Sequence, residues 1–132
     1  MIRHVWSVLC KQLYLDPETD EAVVTLLDVF PAVEHEPTPT MVGTRFDLVT
    51  LWYCDVESSA FSYIVKATGP SGRALADTEV PAAKFVPPVH RMRTRLRFPG
   101  VAYDGPGVYW FRVMRLVDGQ EILDAEVPLA IP

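Results

Sequence analysis

Apolar residues spaced two apart, turn signals at regular intervals and the lack of any long helical repeat predict an all-β protein. In residues 44–54, Phe46, Leu48, Thr50 and Trp52 fall on one side of an extended chain and Asp47, Val49, Leu51 and Tyr53 on the other. Gly69-Pro-Ser-Gly72 and Asp118-Gly119 are strong turn signals, and such signals recur at intervals of about ten residues. No segment sustains four turns of 3.6-residue periodicity. The expected architecture is a two-sheet β-sandwich of seven to nine antiparallel strands, formed as a single domain over residues 1–132.

The first strand is expected over residues 4–15, which are rich in Val, Leu, Trp and Tyr. Its first ten residues superficially resemble a secretion signal. Ser7 interrupts the apolar run, Lys11 and Gln12 follow at once, and no small-residue cleavage site appears, so a strand is the expectation. Residues 16–21 turn the chain and residues 22–30 return as a second strand. Residues 31–43, with Pro31, Pro37 and Pro39, are expected as a surface loop. Residues 44–54 form a third strand, apolar on both sides as a central strand is, and residues 61–68 and 73–78 a hairpin around Gly69-Pro-Ser-Gly72. Residues 79–90, with Pro81, Pro87 and Pro88, are expected to cross between the sheets. The last three strands are residues 91–98, 107–117 and 121–131.

Asp104-Gly-Pro-Gly-Val-Tyr109-Trp-Phe111 has the form of a tyrosine corner, in which the hydroxyl bonds back to the chain before the penultimate strand. The acid stands one residue further from the tyrosine than usual. This motif makes the expected sandwich immunoglobulin-like. Leu9-Cys10, Asp28-Val-Phe-Pro31, Gly69-Pro-Ser-Gly72, Gly107-Val-Tyr-Trp-Phe111, Asp118-Gly119 and Val127-Pro-Leu129 together resemble an uncharacterised bacterial family of small single-domain β-sandwich proteins. That resemblance implies a fold and no activity, cofactor or site.

Composition narrows the functional classes. The chain has 132 residues, 49 % hydrophobic and 22 % charged, a balance suited to a folded domain. No apolar run reaches the roughly 18 residues of a spanning helix, so no membrane is expected and the cytoplasm is the expected location. The net charge of −5 argues against general nucleic-acid binding. Cys10 and Cys54 are expected as buried thiols rather than a disulfide.

The most distinctive pattern is Arg91-Met-Arg-Thr-Arg-Leu-Arg-Phe98. On a strand, Arg91, Arg93, Arg95 and Arg97 line one face while Met92, Thr94, Leu96 and Phe98 line the other. Such a row needs anions. Acids on a neighbouring strand are one source, for example Glu21, Asp28, Asp124 or Glu126. An acidic protein partner or a phosphate-rich ligand is the other, since guanidinium pairs with carboxylate and phosphate through two parallel bonds.

Catalytic and metal patterns are weak. His4, His35 and His90 have no metal-site spacing, and neighbouring side chains of Glu34-His35-Glu36 splay apart on an extended loop. Asp16, Glu18, Asp20 and Glu21 read as a charged hairpin tip around Pro17 rather than a calcium loop. Ser58-Ser59 lacks a glycine elbow, and the proline-interrupted glycine turns cannot cradle phosphate. No enzyme, metal or cofactor is expected. Surplus aromatic residues, Trp52, Tyr53 and Trp110 with Trp6, suggest an exposed contact patch. The expected function is a non-catalytic interaction module, self-associating or docking a protein partner through Arg91, Arg93, Arg95, Arg97, Trp52, Tyr53 and Trp110. The alternative is a small-ligand or carbohydrate-binding domain.

Overall fold

The structure, a computed structural model, describes residues 2–10, 14–15, 22–23, 41–42, 46–54, 61–82, 91–98 and 101–131. These residues hold eleven strands and no helix: β1 (Ile2–Cys10), β2 (Tyr14–Leu15), β3 (Ala22–Val23), β4 (Met41–Val42), β5 (Phe46–Cys54), β6 (Phe61–Thr68), β7 (Ala74–Ala82), β8 (Arg91–Phe98), β9 (Val101–Ala102), β10 (Gly107–Val117) and β11 (Gln120–Ile131). A three-stranded sheet runs β1-β5-β8 and a four-stranded sheet runs β11-β10-β6-β7, with all pairs antiparallel. Two-stranded pairs β2-β3 and β4-β9 complete the set.

Alternation decides what lies between the sheets. Leu9, Phe46, Leu48, Trp52 and Phe98 point inward from the three-stranded sheet and meet Tyr63, Val65, Ala67, Tyr109, Phe111, Val113, Leu129 and Ile131 from the other. Phe46 stands 5.5 Å from Phe111, edge to face, and Phe98 stands 5.2 Å from it. At the other end Trp52 packs 5.0 Å from Phe61 and 5.1 Å from Tyr63. Burying one such aromatic ring stabilises the fold by roughly 1.5–3 kcal/mol. Trp52 therefore belongs to the core, with no exposed surface, and is corrected from the expected contact patch. Thr94 makes this burial tolerable, because its Oγ1 accepts from the indole Nε1 at 3.0 Å and from the Tyr63 hydroxyl at 2.8 Å.

The tyrosine corner is present. Tyr109 donates its hydroxyl to the Gly105 carbonyl at 2.8 Å and accepts from the Asp104 amide at 2.6 Å. The Asp104 carboxylate in turn accepts from the amide and hydroxyl of Ser71, at 3.0 and 2.7 Å, tying the corner to the β6–β7 turn. That docking explains Gly69, since a methyl group there would stand 2.6 Å from Asp104 Cβ.

The two sides of the sandwich are assigned by contacts between layers. Arg115 of β10 pairs with Asp124 of β11 through two bonds, 2.6 and 3.1 Å, and donates to the Ile2 carbonyl of β1 at 2.8 Å. So β1 and β11 share one side. Thr94 of β8 lies over Tyr63 of β6, and β7 is the next strand beyond β6, so β8 and β7 share the other.

Strand boundaries differ from expectation at instructive places. Within the first two expected strands, β1 covers Ile2–Cys10, and Tyr14–Leu15 pairs antiparallel with Ala22–Val23 as the expected return of the chain requires. The fifth expected strand runs on from residue 78 to Ala82 through Pro81, which an edge strand tolerates because its amide is not needed on the outer side. Met41–Val42, inside the expected loop, pairs with Val101–Ala102. The acidic tip at 16–21, Glu34-His35-Glu36, Ser58-Ser59 and His90 lie outside the described residues.

Candidate functional site

The outer face of the three-stranded sheet is fixed by its central strand. Asp47, Val49, Leu51 and Tyr53 of β5 point away from the core, and the register with β1 and β8 arranges four transverse rows. These are Arg3–Tyr53–Arg91, Trp6–Leu51–Arg93, Val8–Val49–Arg95 and Cys10–Asp47–Arg97. Rows lie about 7 Å apart and strands about 4.8 Å apart. A β-bulge between His4 and Trp6 sets this face on β1. The extra residue, Val5, flips the alternation, sending Trp6 outward and Ser7 inward, where Ser7 Oγ lies 2.9 Å from Thr50 Oγ1 and 2.8 Å from His4 Nε2.

Five arginines thus stand in these rows, and two of them meet one carboxylate. Asp47, its side chain only 5 % exposed, faces Arg95 Nε at 3.4 Å and Arg97 Nε at 3.2 Å. Both guanidinium groups remain open to solvent, at 40 % and 52 %. The acids expected to answer the row are used elsewhere: Asp124 pairs with Arg115, and Glu126 with Arg112 at 3.0 Å. Glu21 and Asp28 lie outside the described residues. No acid other than Asp47 stands in these four rows.

The face is unevenly accessible. Cys10 and Val49 are fully buried at the Asp47 end, while Arg3, Val5 and Arg91 are exposed at the other. Arg95 and Arg97 stay exposed beside that buried end, as Arg3 and Arg91 do at the other, with half-buried Tyr53, Trp6, Leu51 and Arg93 between them. Of the residues expected in the contact patch, Arg91, Arg93, Arg95, Arg97 and Tyr53 share this face. Trp110 does not join them: it pairs with Pro128 and Thr68 on the outer face of the opposite sheet. Arg3 was missed because a single charge near a strand end gives no pattern by itself; only the pairing of Arg3 with Tyr53 brings it opposite Arg91.

Burial raises the Cys10 thiol pKa, Asp47 raises it further and Arg95 partly opposes them, so the thiol stays neutral and a poor nucleophile. Cys10, a free thiol, pairs in register with Asp47 at one end of β5. On the inner side, burial lowers the His4 pKa, with Asp124 opposing and Arg115 reinforcing that shift. Among the described residues no group of three or more His, Cys, Asp or Glu is placed to hold a metal ion. No helix among them is long and apolar enough to cross a membrane.

The fold is similar to that of the C-terminal domain of wzt, with a TM-score of 0.56 at 8 % sequence identity, covering 99 % of this chain and 73 % of that one. An immunoglobulin-like protein from Pseudomonas aeruginosa gives a TM-score of 0.47 at 14 % identity, covering 100 % of this chain and 97 % of its own. No protein-family model and no curated protein matches the chain. At such identities the likeness is one of fold alone. Two antiparallel sheets over a shared core, a buried tryptophan on β5 and a hydrogen-bonded tyrosine corner make the chain an immunoglobulin-like β-sandwich.

Proposed function

We propose that this chain is a non-catalytic binding module that docks an acidic protein surface on the outer face of its three-stranded sheet. The supporting observation is the gathering of Arg3, Arg91, Arg93, Arg95 and Arg97 in four adjacent rows of one sheet, in a chain whose net charge is −5. Charge of one sign gathered against the overall balance steers an oppositely charged partner. Arginine beside Tyr53 and Trp6 suits such a surface, because the guanidinium pairs with carboxylates while rings supply apolar area.

Fluorescence anisotropy with a labelled glutamate-rich peptide tests the proposal. Binding should weaken steeply with NaCl, and Arg3→Glu with Arg91→Glu should weaken it about tenfold or more, since like charges brought together cost several kcal/mol. Equal binding of an uncharged peptide of the same length, or no effect of the double reversal, contradicts it.

A further inference from the structure

We infer that His4 is a proton-sensitive latch between the two sheets: neutral, it lets β1 rest against β10 and β11, and a proton taken up by its ring loosens β1 there. This is independent of the docking role proposed above. The latch exists because of the bulge at Val5. On an unbroken strand, residues three apart point to opposite faces, so His4 and Ser7 could not meet. The extra residue brings Ser7 to the inner face, where its hydroxyl lies 2.8 Å from His4 Nε2 and 2.9 Å from the hydroxyl of fully buried Thr50. Edge to face, the His4 ring stands 5.7 Å from Trp52, its register partner on β5. The imidazole is thus held between a pair of hydroxyls and a buried indole.

Two charged groups act on it from across the core, Arg115 of β10 and Asp124 of β11. From β5 it meets Trp52 and, through Ser7, Thr50; Arg3, on β1 itself, belongs to the outer face. Both oxygens of Asp124 are already used: Oδ2 accepts from Arg115 Nε at 2.6 Å and Oδ1 from Nη2 at 3.1 Å. Nη1 of the same guanidinium donates to the Ile2 carbonyl at 2.8 Å, two residues before His4. One guanidinium therefore fastens β1 to the opposite sheet, and Asp124 aims it. A neutral imidazole is compatible with that arrangement, because Nε2 can either accept from Ser7 or donate to it. An imidazolium is not. It sets a second positive charge near Arg115 and competes for Asp124, so Arg115 loses the clamp that points Nη1 at Ile2. Burial, the largest influence on His4, disfavours the charged ring; Asp124 opposes it and Arg115 reinforces it. The folded protein consequently holds this proton less tightly than the unfolded chain. The stability that neutral His4 supplies is complete above the ordinary imidazole value of about 6.5 and is lost as pH falls through the lower folded-state value.

An NMR titration of the full chain from pH 8 down to about 5.5, across the ordinary imidazole range, is the test. His4 should titrate below about 6.5, and the Arg115 Nε–H resonance and the amides of Ile2, His4 and Ser7 should move with the same midpoint. Amides of the distant turn at Ser71 and Gly72 should stay still. Arg115→Gln removes a cation and frees Asp124 for the ring, so His4 should then titrate about one pH unit higher. His4→Gln keeps a partner for Ser7 and takes up no proton, so the Arg115 resonance should no longer respond over this range. The urea midpoint of the wild type should fall relative to that of His4→Gln as pH is lowered, and His35 and His90, present in both, cancel from the difference. A His4 midpoint at or above the ordinary value overturns the inference. So does an Arg115 resonance that ignores the titration of His4, one that still responds in His4→Gln, or a His4 midpoint unmoved by Arg115→Gln. The wild-type titration needs no variant, so it decides the matter even where both variants unfold.

Discussion

The two sheets share one core but treat charge on their outer faces in opposite ways. On the four-stranded sheet, cations and acids interleave: Arg112 faces Glu126 at 3.0 Å, and Lys66 reaches Glu121 at 2.9 Å while standing opposite Asp77. On the three-stranded sheet, five arginines occupy the four rows that hold one acid, Asp47, and Arg95 and Arg97 contact it. The first face has its counter-charges in its own strands, and so its ion pairs are exposed, screened and individually weak. The second carries an arginine in every row and a carboxylate in one.

The comparison presupposes a common core, and the largest expected effect tests that premise. Phe111 is fully buried, in contact with Phe46 and Phe98 of the other sheet. Phe111→Ala should cost about 3–5 kcal/mol in denaturant unfolding, with both sheets lost in one transition. A loss below about 1 kcal/mol would mean that the layers are not joined there.

Removing one carboxylate from each face sharpens the contrast. Asp47→Asn leaves Arg95 and Arg97 facing each other over a buried, uncharged side chain. It should cost about 1–3 kcal/mol, less than a fully buried pair because both guanidinium groups are partly in water. Glu126→Gln removes the partner of Arg112 from an exposed pair and should cost less than about 1 kcal/mol. Chemical denaturation of both variants side by side measures the difference. Equal losses would erase the distinction between the faces.

Much of this arrangement was legible in the sequence, because alternation is a local property. Residues 91–98 and 107–117 occur as strands with the expected bounds, and the Arg91-Arg93-Arg95-Arg97 row lies on the outer face as the two-residue repeat requires. The corner at Tyr109 was likewise readable from Asp104 through Phe111. What was hidden depended on pairing between distant segments. Asp47 answers Arg95 and Arg97 because β5 lies beside β8, and no spacing along the chain encodes that neighbour. A count of aromatic residues places Trp52 in surplus, whereas its alternation with Phe46 and Leu48 points inward. The hydroxyl of Thr94 receives its indole N–H and makes room for it in the core. Trp110 and the arginine row, both outward by alternation, turn out to occupy different sheets, a fact of topology rather than of pattern.

The most direct test of the charge imbalance is to map where an acidic ligand lands. In a 15N-labelled sample titrated with a glutamate-rich peptide, backbone amide shifts should concentrate on Arg3, Tyr53 and Arg91 and their neighbours in β1, β5 and β8. Amides around Lys66 and Arg112 should stay still, because they belong to the opposite sheet. Shifts centred on Lys66 and Arg112, or spread evenly over both sheets, would contradict the account.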